Sequence, residues 1–522
     1  MAVELPLGIK FLRSVRTAWF PNVEINSLLW YRISVLTLTF LSYMCYHASR
    51  KPLSIVKSYF NQSCANLTPP PDIFINSSNQ NTWCDWAPFY GPDAGALLGT
   101  LDSAFLFAYA AAMFLSGFVA ERMSLRYFLA VGMITSGIYC YLFGLAHKLQ
   151  IHLFWYFVLV QIFGGVVQSS GWPGVVAVMG NWYGKSKKGL IMGLWNSHTS
   201  VGNIVGTLIA SQCLSYDWGY SFMVPGVLIA AVGFINFLFL VEHPTDVGLN
   251  PACPTVHPQQ TRNNLPEADG ASSDDSAYSD TELLLDHQHP ETNYTRGKEE
   301  KVATEDHAIG IIDAVKIPGV IEFSLCLFFS KLVCYTFIYW LPFYINASTT
   351  LTSTNSADLS TLFDFGGILG GVFAGAVTDY YGKSATVCCV MLIISIPLLL
   401  LYSWIGAVLL WLNIILLFTV GFFVNGPYAL ITTAVSAELG CHPSLSGNSK
   451  ALATVTAIID GTGSIGAAVG PLIAGIVYSF GWSYVFIMLM IANILALTML
   501  LRLVVHEWRR SIPGALSSHG LL

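Results

Sequence analysis

Residues 164–206 read GGVVQSSGWPGVVAVMGNWYGKSKKGLIMGLWNSHTSVGNIVG. Two long apolar runs meet at a short basic turn, Lys185-Ser186-Lys187-Lys188. The first run carries Trp172-Pro173 in its interior. The second carries Trp195, Asn196 and His198, then Gly202 and Gly206. Polar side chains inside such runs are costly in a bilayer, and several types cluster here on neighbouring turns. That pattern is expected of a solute pathway through a membrane.

The composition agrees. Of the 522 residues, 54% are hydrophobic and 10% charged, with a mean hydropathy of +0.59. These values exclude a soluble globular class and fit a polytopic membrane protein. Residues 1–29 are polar and mixed, so the first span itself is expected to direct insertion. The net charge of -6 is local: residues 242–306 hold 14 acids and four bases, and the rest of the chain holds 16 acids and 20 bases. The acidity belongs to that segment and not to a substrate site. Eleven cysteines show neither a CxxC pair nor a zinc spacing. No nucleophile–base pair or phosphate loop appears, so no enzyme, metal, cofactor or nucleic-acid partner is expected.

Twelve spans of roughly 20 residues, the length a bilayer core requires, are expected near 31–52, 97–119, 127–147, 152–180, 189–212, 219–241, 318–345, 360–381, 385–404, 407–436, 450–478 and 482–504. They predict an all-α membrane protein of two pseudo-symmetric six-helix halves, 30–241 and 316–506. A tail at 1–29, a loop at 53–96, a disordered acidic linker at 242–315 and a tail at 507–522 complete the chain. Most Lys and Arg flank spans on the terminal side, which puts both termini and the linker in the cytosol. Lys57 and Lys148 fall to the opposite face. The loop after the first span holds three sequons, at Asn61, Asn66 and Asn76, and two cysteines, Cys64 and Cys84. The cysteines read as a disulfide in an oxidising compartment or as two free thiols. Asn346 sits close to a span and is a poorer acceptor; Asn293 is cytosolic and should be bare. Asp280-Thr-Glu-Leu-Leu284-Leu285 has the form of an acidic dileucine sorting signal.

The halves repeat. Residues 201–210, VGNIVGTLIA, match 465–474, IGAAVGPLIA, and 117–122, GFVAER, match 375–380, GAVTDY. Two six-span repeats around a linker are the architecture of a rocker-type transporter, with its solute site between them. The second pair lies on the turn after spans two and eight. There Gly117, Glu121, Arg122 and Arg126, and in the second copy Gly375, Asp379 and Lys383, form a candidate gate: the glycine permits close helix approach, and the acid caps a helix or pairs with a base. This motif resembles the signature of the major facilitator superfamily.

Tyr46-His-Ala-Ser-Arg50-Lys51 ends the first run, with Arg50 18 residues past Arg32, roughly 27 Å along a helix. Arg50 and Lys51 there either snorkel to headgroups or face a wet cavity. Arginine offers a fork that fits phosphate oxygens. Tyr-His-x-x-Arg-Lys at 46–51, Gly-Trp-Pro at 171–173 and Gly-x-Trp-Asn at 193–196 resemble the organophosphate:phosphate antiporters of that superfamily. The likeness is greatest to solute carrier family 37, the sugar-phosphate exchangers, and above all to its first and second members. Residues 49–57, 195–203, 425–437 and 458–466 carry it. The resemblance implies exchange of glucose 6-phosphate for inorganic phosphate across the endoplasmic reticulum membrane, while the dileucine stretch allows an endolysosomal pool. It implies that Arg50 holds phosphate with Lys51 beside it, and that Tyr109 and Trp172 line the cavity.

The chain departs from the bacterial pattern. A second arginine expected on span seven, six residues before Trp340, is Cys334, and Lys331 on roughly the same helical face is the substitute. The bacterial second-span lysine is Met113 and the fifth-span histidine is Thr199. His198 reads as a core histidine or a substrate ligand. Asp460, which the repeat pairs with Asn196, reads as helix glue or a coupling site, and Lys450 as a snorkelling base or part of the cavity rim. A proton-coupled sugar or organic-anion symporter leaning on Asp460, and a transporter-like sensor acting through the linker, remain alternatives. The topology predicts that replacing Asn61, Asn66 and Asn76 together abolishes any endoglycosidase shift. A shift that survives this and disappears with Asn293→Gln would invert the topology.

Overall fold

The computed structural model describes residues 5–19, 26–62, 64, 69, 75–76, 79–80, 82–91, 93–120, 122–183, 194–249, 314–406, 408–439 and 449–510. Eleven helices among these are long and apolar enough to cross a membrane. The fifth span is a 17-residue helix, His198–Leu214, which follows undescribed residues 184–193. The expected linker, apart from its edges, and the 280–285 stretch also lie outside the described residues.

Span one runs Ser27–Arg50, breaks at Lys51 and resumes as Pro52–Phe60. The break is soft because Pro52 opens the second segment, where its missing N–H is not needed. Span two is Ala94–Ala120 and span three Leu125–Lys148. Span four comprises Phe154–Gln168 and Gly171–Tyr183, and span six is Trp218–Phe239. The second half holds span seven, Val320–Ser348, eight, Ser353–Tyr381, nine, Ser384–Ile405, and ten, Leu410–Leu430. A π turn, Ile431–Val435, extends span ten, and eleven, Ser449–Val477, and twelve, Trp482–Arg510, complete the bundle.

Packing repeats with the sequence. Spans one and five, two and four, and three and six pack together in the first half. Spans seven and eleven, eight and ten, and nine and twelve do so in the second. The tightest of these contacts need glycine. A Cβ at Gly165 would sit 2.2 Å from the Phe105 carbonyl, and one at Gly421 would sit 2.1 Å from that of Phe363. Between the halves, two packs on eleven and five on eight.

Several boundaries differ from the sequence reading. The first half continues past residue 241, because Glu242 caps span three: its carboxylate accepts from the Leu125 N–H at 2.8 Å and from the Ser124 hydroxyl. Glu507 does the same for span nine, accepting from the Ala385 and Thr386 N–H groups at 2.8 and 2.9 Å. Both place negative charge on the unsatisfied donors of a helix N-terminus. The carboxylates seen capping spans three and nine are therefore these two, and no capping bond is seen for Asp379 among the described residues; Glu121 is outside them. The first eight residues of the expected 53–96 loop belong to the span-one helix. In the remaining loop, Cys64 and Cys84 form a disulfide with Cα atoms 5.6 Å apart. Asn76 is exposed, Asn61 is half-buried and Asn66 is not described. Burial pushes the Asp85 carboxyl up to about 6, against a hydrogen bond from the Gln62 N–H. The neutral acid is favoured there, so this part of the loop weakens as pH rises through that value.

The plainest correction concerns Lys57, which the sequence placed in the outer loop. It is fully buried on the second segment of span one and pairs with Asp102 of span two. Lys57 lies five residues past Pro52 on this mainly apolar helix, and a carboxylate 45 positions away makes its burial tolerable. Removing one partner of a buried pair leaves a bare charge, costing roughly 3–5 kcal/mol. Lys57→Ala should therefore lower the thermal midpoint in detergent, and Lys57→Ala with Asp102→Ala should lower it by less than the two single effects combined. An unchanged midpoint for Lys57→Ala would restore the outer-loop reading.

Candidate functional site

A narrow cavity lies between the halves. Tyr43 of span one, Tyr109 of span two, Trp172 of span four, and Asn196 and Thr199 at the start of span five line one wall. Lys331 and Tyr335 of span seven, Tyr428 and Thr432 of span ten, and Asp460 and Ser464 of span eleven line the other. Asn196 and Asp460, paired by the repeat, thus face the same space. Five aromatic rings and six polar or charged side chains converge on it, a lining more polar than that of a typical apolar pocket. Tyr43 and Trp172 lie 5.2 Å apart between ring centroids, and Trp172 stacks on Trp195 at 6.1 Å.

Arg50 sits beside this cavity and is 6% exposed. Its Nε donates to Gln168 Oε1 at 2.7 Å, and Gln168 in turn donates to Ser49 Oγ at 2.9 Å. The guanidinium carbon is 4.7 Å from the centre of the Tyr109 ring, itself a cavity wall. Arg50 Nη2 is buried without a hydrogen-bond partner. A buried donor left unpaired is rare and calls for an explanation.

The neighbouring charges sharpen the point. Lys57 pairs with Asp102, and Lys331 Nζ lies 2.7 Å from Asp460 Oδ1. Lys51 donates to the Ile338 carbonyl and feels the charge of Asp364 without forming an ion pair with it. Lys57 and Lys331 thus each have an aspartate and Lys51 a backbone carbonyl, whereas Arg50 has a glutamine and an aromatic ring. The site is one negative charge short of neutral, with the free edge of a guanidinium as its open valence.

The structure brings Tyr109, Trp172, Asn196, Lys331 and Asp460 to the cavity, with Arg50 at its edge. Lys51 is 2% exposed and donates to the Ile338 carbonyl at 3.0 Å; it is not a cavity residue. Tyr46 is fully buried and bonded to Ser170, because Gly132 and Gly171 let spans three and four close over its ring. His198 is fully buried and packs edge-on against Trp195 and Tyr43 at 4.6 and 4.7 Å, so it backs the wall while Thr199 lines it. Cys334 contacts Asn425 and does not reach the cavity. The Lys450 side chain lies outside the described residues. At the candidate gate, Gly117 and Gly375 have nothing described within 4 Å of where a Cβ would be. Among the described residues, the close approach expected there is not seen. Arg122 and Asp379 are exposed, Arg126 is buried against Tyr127, and Lys383 lies 4.2 Å from the Trp508 ring centre.

The sequence reading missed Tyr43, Thr199, Tyr335, Tyr428, Thr432 and Ser464 as wall residues. A signal existed for three of them. Tyr335 is one helical turn past Lys331, Ser464 one turn past Asp460, and Thr432 one turn past Tyr428.

Two matched six-helix halves enclosing a polar cavity at mid-bundle define a secondary membrane transporter. The chain belongs to the major facilitator superfamily, whose family model matches residues 39–447 and 323–516. It is 51% identical over 508 residues to the glucose-6-phosphate exchanger SLC37A2 of Mus musculus, covering 97% of each chain. It is 45% identical over 535 residues to the Homo sapiens glucose-6-phosphate exchanger SLC37A1, covering 98% of this chain and 97% of that one. Among solved structures, the nucleoside transporter NupG aligns with a TM-score of 0.58 at 12% identity, covering 90% of this chain and 99% of that one. A bacterial homologue of the human lysosomal transporter Spinster aligns at 0.53 and 15%, covering 91% and 95%. At such identities the last two show the fold alone.

Proposed function

We propose that this protein is a secondary active antiporter that exchanges a sugar phosphate, glucose 6-phosphate foremost, for inorganic phosphate by alternating access. The observation that carries this reading is the unpartnered edge of Arg50 beside a cavity whose one lining lysine, Lys331, is already paired with Asp460. A phosphate ester carries close to two negative charges at neutral pH and three acceptor oxygens. Arg50 Nη2 supplies a charge-assisted donor where its hydrate would otherwise be lost. Tyr43, Tyr109, Trp172, Tyr335 and Tyr428 offer flat faces to a sugar ring, with Asn196, Thr432 and Ser464 as hydroxyl partners. Lys331 holds a second anion position, occupied by Asp460 until a substrate competes for it. A carboxylate so engaged is a poor free proton carrier, which favours antiport over symport leaning on Asp460.

The relatives named as glucose-6-phosphate exchangers support the choice of substrate. We place the protein in the endoplasmic reticulum membrane with both termini cytosolic. On that topology the halves meet at the lumenal end, where Ser103 donates to the Ala468 carbonyl at 2.8 Å and Ser211 to Asp358 at 2.6 Å. The open surroundings of Gly117 and Gly375 lie at the cytosolic end. This is a cytosol-facing arrangement, and the gate glycines would close on their neighbours in the opposite state.

A hydrogen bond to a charged group is worth roughly 1.5–3 kcal/mol. Arg50→Ala should therefore weaken glucose 6-phosphate binding about 10- to 150-fold in phosphate-loaded proteoliposomes. Arg50→Lys should be impaired as well, because it keeps charge and loses the fork. Lys148→Ala, at an exposed lysine bonded to Tyr220, is the control and should be near normal. An Arg50→Ala protein that exchanges as fast as wild type at sub-saturating substrate would remove Arg50 from the site.

A further inference from the structure

Span seven contains Pro342. In an α-helix the N–H of residue 342 would bond to the carbonyl of Ile338. Proline has no N–H, and its ring pushes that same carbonyl aside. The Ile338 carbonyl is thus left without its helical donor, inside a bundle where an unpaired backbone group is expensive. The structure satisfies it from the other half of the molecule. Lys51 Nζ, on span one, donates to the Ile338 oxygen at 3.0 Å. Six residues on, Lys57 Nζ donates to the next carbonyl of the kink, that of Tyr339, at 3.1 Å while pairing with Asp102 of its own half. The same seam holds Asp364 of span eight, whose Oδ1 accepts from Asn203 Nδ2 of span five at 2.8 Å and whose charge acts on Lys51. Asn203 is itself bonded to His47 at 3.3 Å.

We propose that Lys51 and Lys57 are positioning residues for transport, and that they seal the first-loop end of the bundle by docking on the Ile338 carbonyl left free by Pro342 and on the Tyr339 carbonyl beside it. The arrangement couples a local defect in one half to a charged side chain in the other. With the halves together, the Ile338 carbonyl is bonded and the Lys51 ammonium is solvated by it. Parting the halves at this end breaks both cross-half lysine contacts and the Asn203–Asp364 bond in one movement, so the unloaded protein is held shut there. This assigns Lys51 a role different from that of its neighbour Arg50. Consecutive residues at the break in span one point their charges to different tasks, one at the substrate and one at the seam.

The inference rests on the exchange reading above, and its test separates the two. Lys51→Met keeps the stem and removes the ammonium. The readout is amide hydrogen exchange of residues 52–60 in lipid nanodiscs without substrate, followed by glucose 6-phosphate exchange kinetics. Lys51→Met should raise hydrogen exchange of 52–60 about tenfold, and change maximal transport rate with KM within about twofold. Pro342→Ala added to Lys51→Met returns an N–H to Ile338 and should recover much of the lost protection, a non-additive result. If Lys51→Met alone does not accumulate as folded protein, the double variant should recover the yield. A raised KM with unchanged protection would make Lys51 a substrate ligand and overturn the proposal, as would failure of Pro342→Ala to recover either protection or yield. If the wild type exchanges no phosphate ester, the exchange reading falls, and the substrate-free protection measurement still decides the seal.

Discussion

A cation buried in a membrane bundle needs an anion, and much of this structure follows from how that need is met. Lys57 has Asp102 and Lys331 has Asp460, while Lys51 is held by the Ile338 carbonyl within the field of Asp364. Arg50 is supplied with hydrogen-bond and π partners but no carboxylate. Guanidinium is the group best suited to such a position, since it stays charged, is weakly hydrated and lies flat on an aromatic face. The missing counter-ion becomes the substrate. An exchanger gains from this arrangement: a site that carries surplus charge when empty favours crossing only when an anion fills it.

The helical frame places that charge by repetition. The same pairs of spans pack in both halves, and the same glycines let them approach, as Gly165 and Gly421 show. Glu242 and Glu507, each following the last turns of its half, cap the third helix of that half in the same way. Two bodies built alike and capped alike are each stiff, and the contacts between them are fewer and more polar. Hydrogen bonds from Lys51, Lys57, Ser103, Asn203 and Ser211 cross the seam. Polar seams of this kind exchange one set of partners for another at low net cost, which suits a surface that must open.

The fold was largely legible in the sequence because long apolar runs and a repeat at nearly constant offset are one-dimensional signals. The repeat also brought Asn196 and Asp460 to one cavity. Lys57 was not legible. A lysine six residues beyond an Arg-Lys-Pro break looks like the start of a loop, and its partner Asp102 belongs to another helix. Lys51 and Arg50 likewise looked equivalent in sequence, since nothing local says that one will meet a proline kink of span seven and the other a cavity. The wall tyrosines were hidden for a different reason. A tyrosine beside a cavity and a tyrosine in a core have the same neighbours along the chain, and only Tyr335, one turn past a charged residue, carried a hint.

The central claim is that phosphate completes the charge of Arg50. A cryo-EM map of the protein with inorganic phosphate bound tests it most directly. The expected result is phosphate density in the cavity bounded by Tyr43 and Tyr109, with an oxygen about 2.7–2.9 Å from Arg50 Nη2. Phosphate density seated on Lys331 alone, with Arg50 still held only by Gln168 and Tyr109, would contradict it.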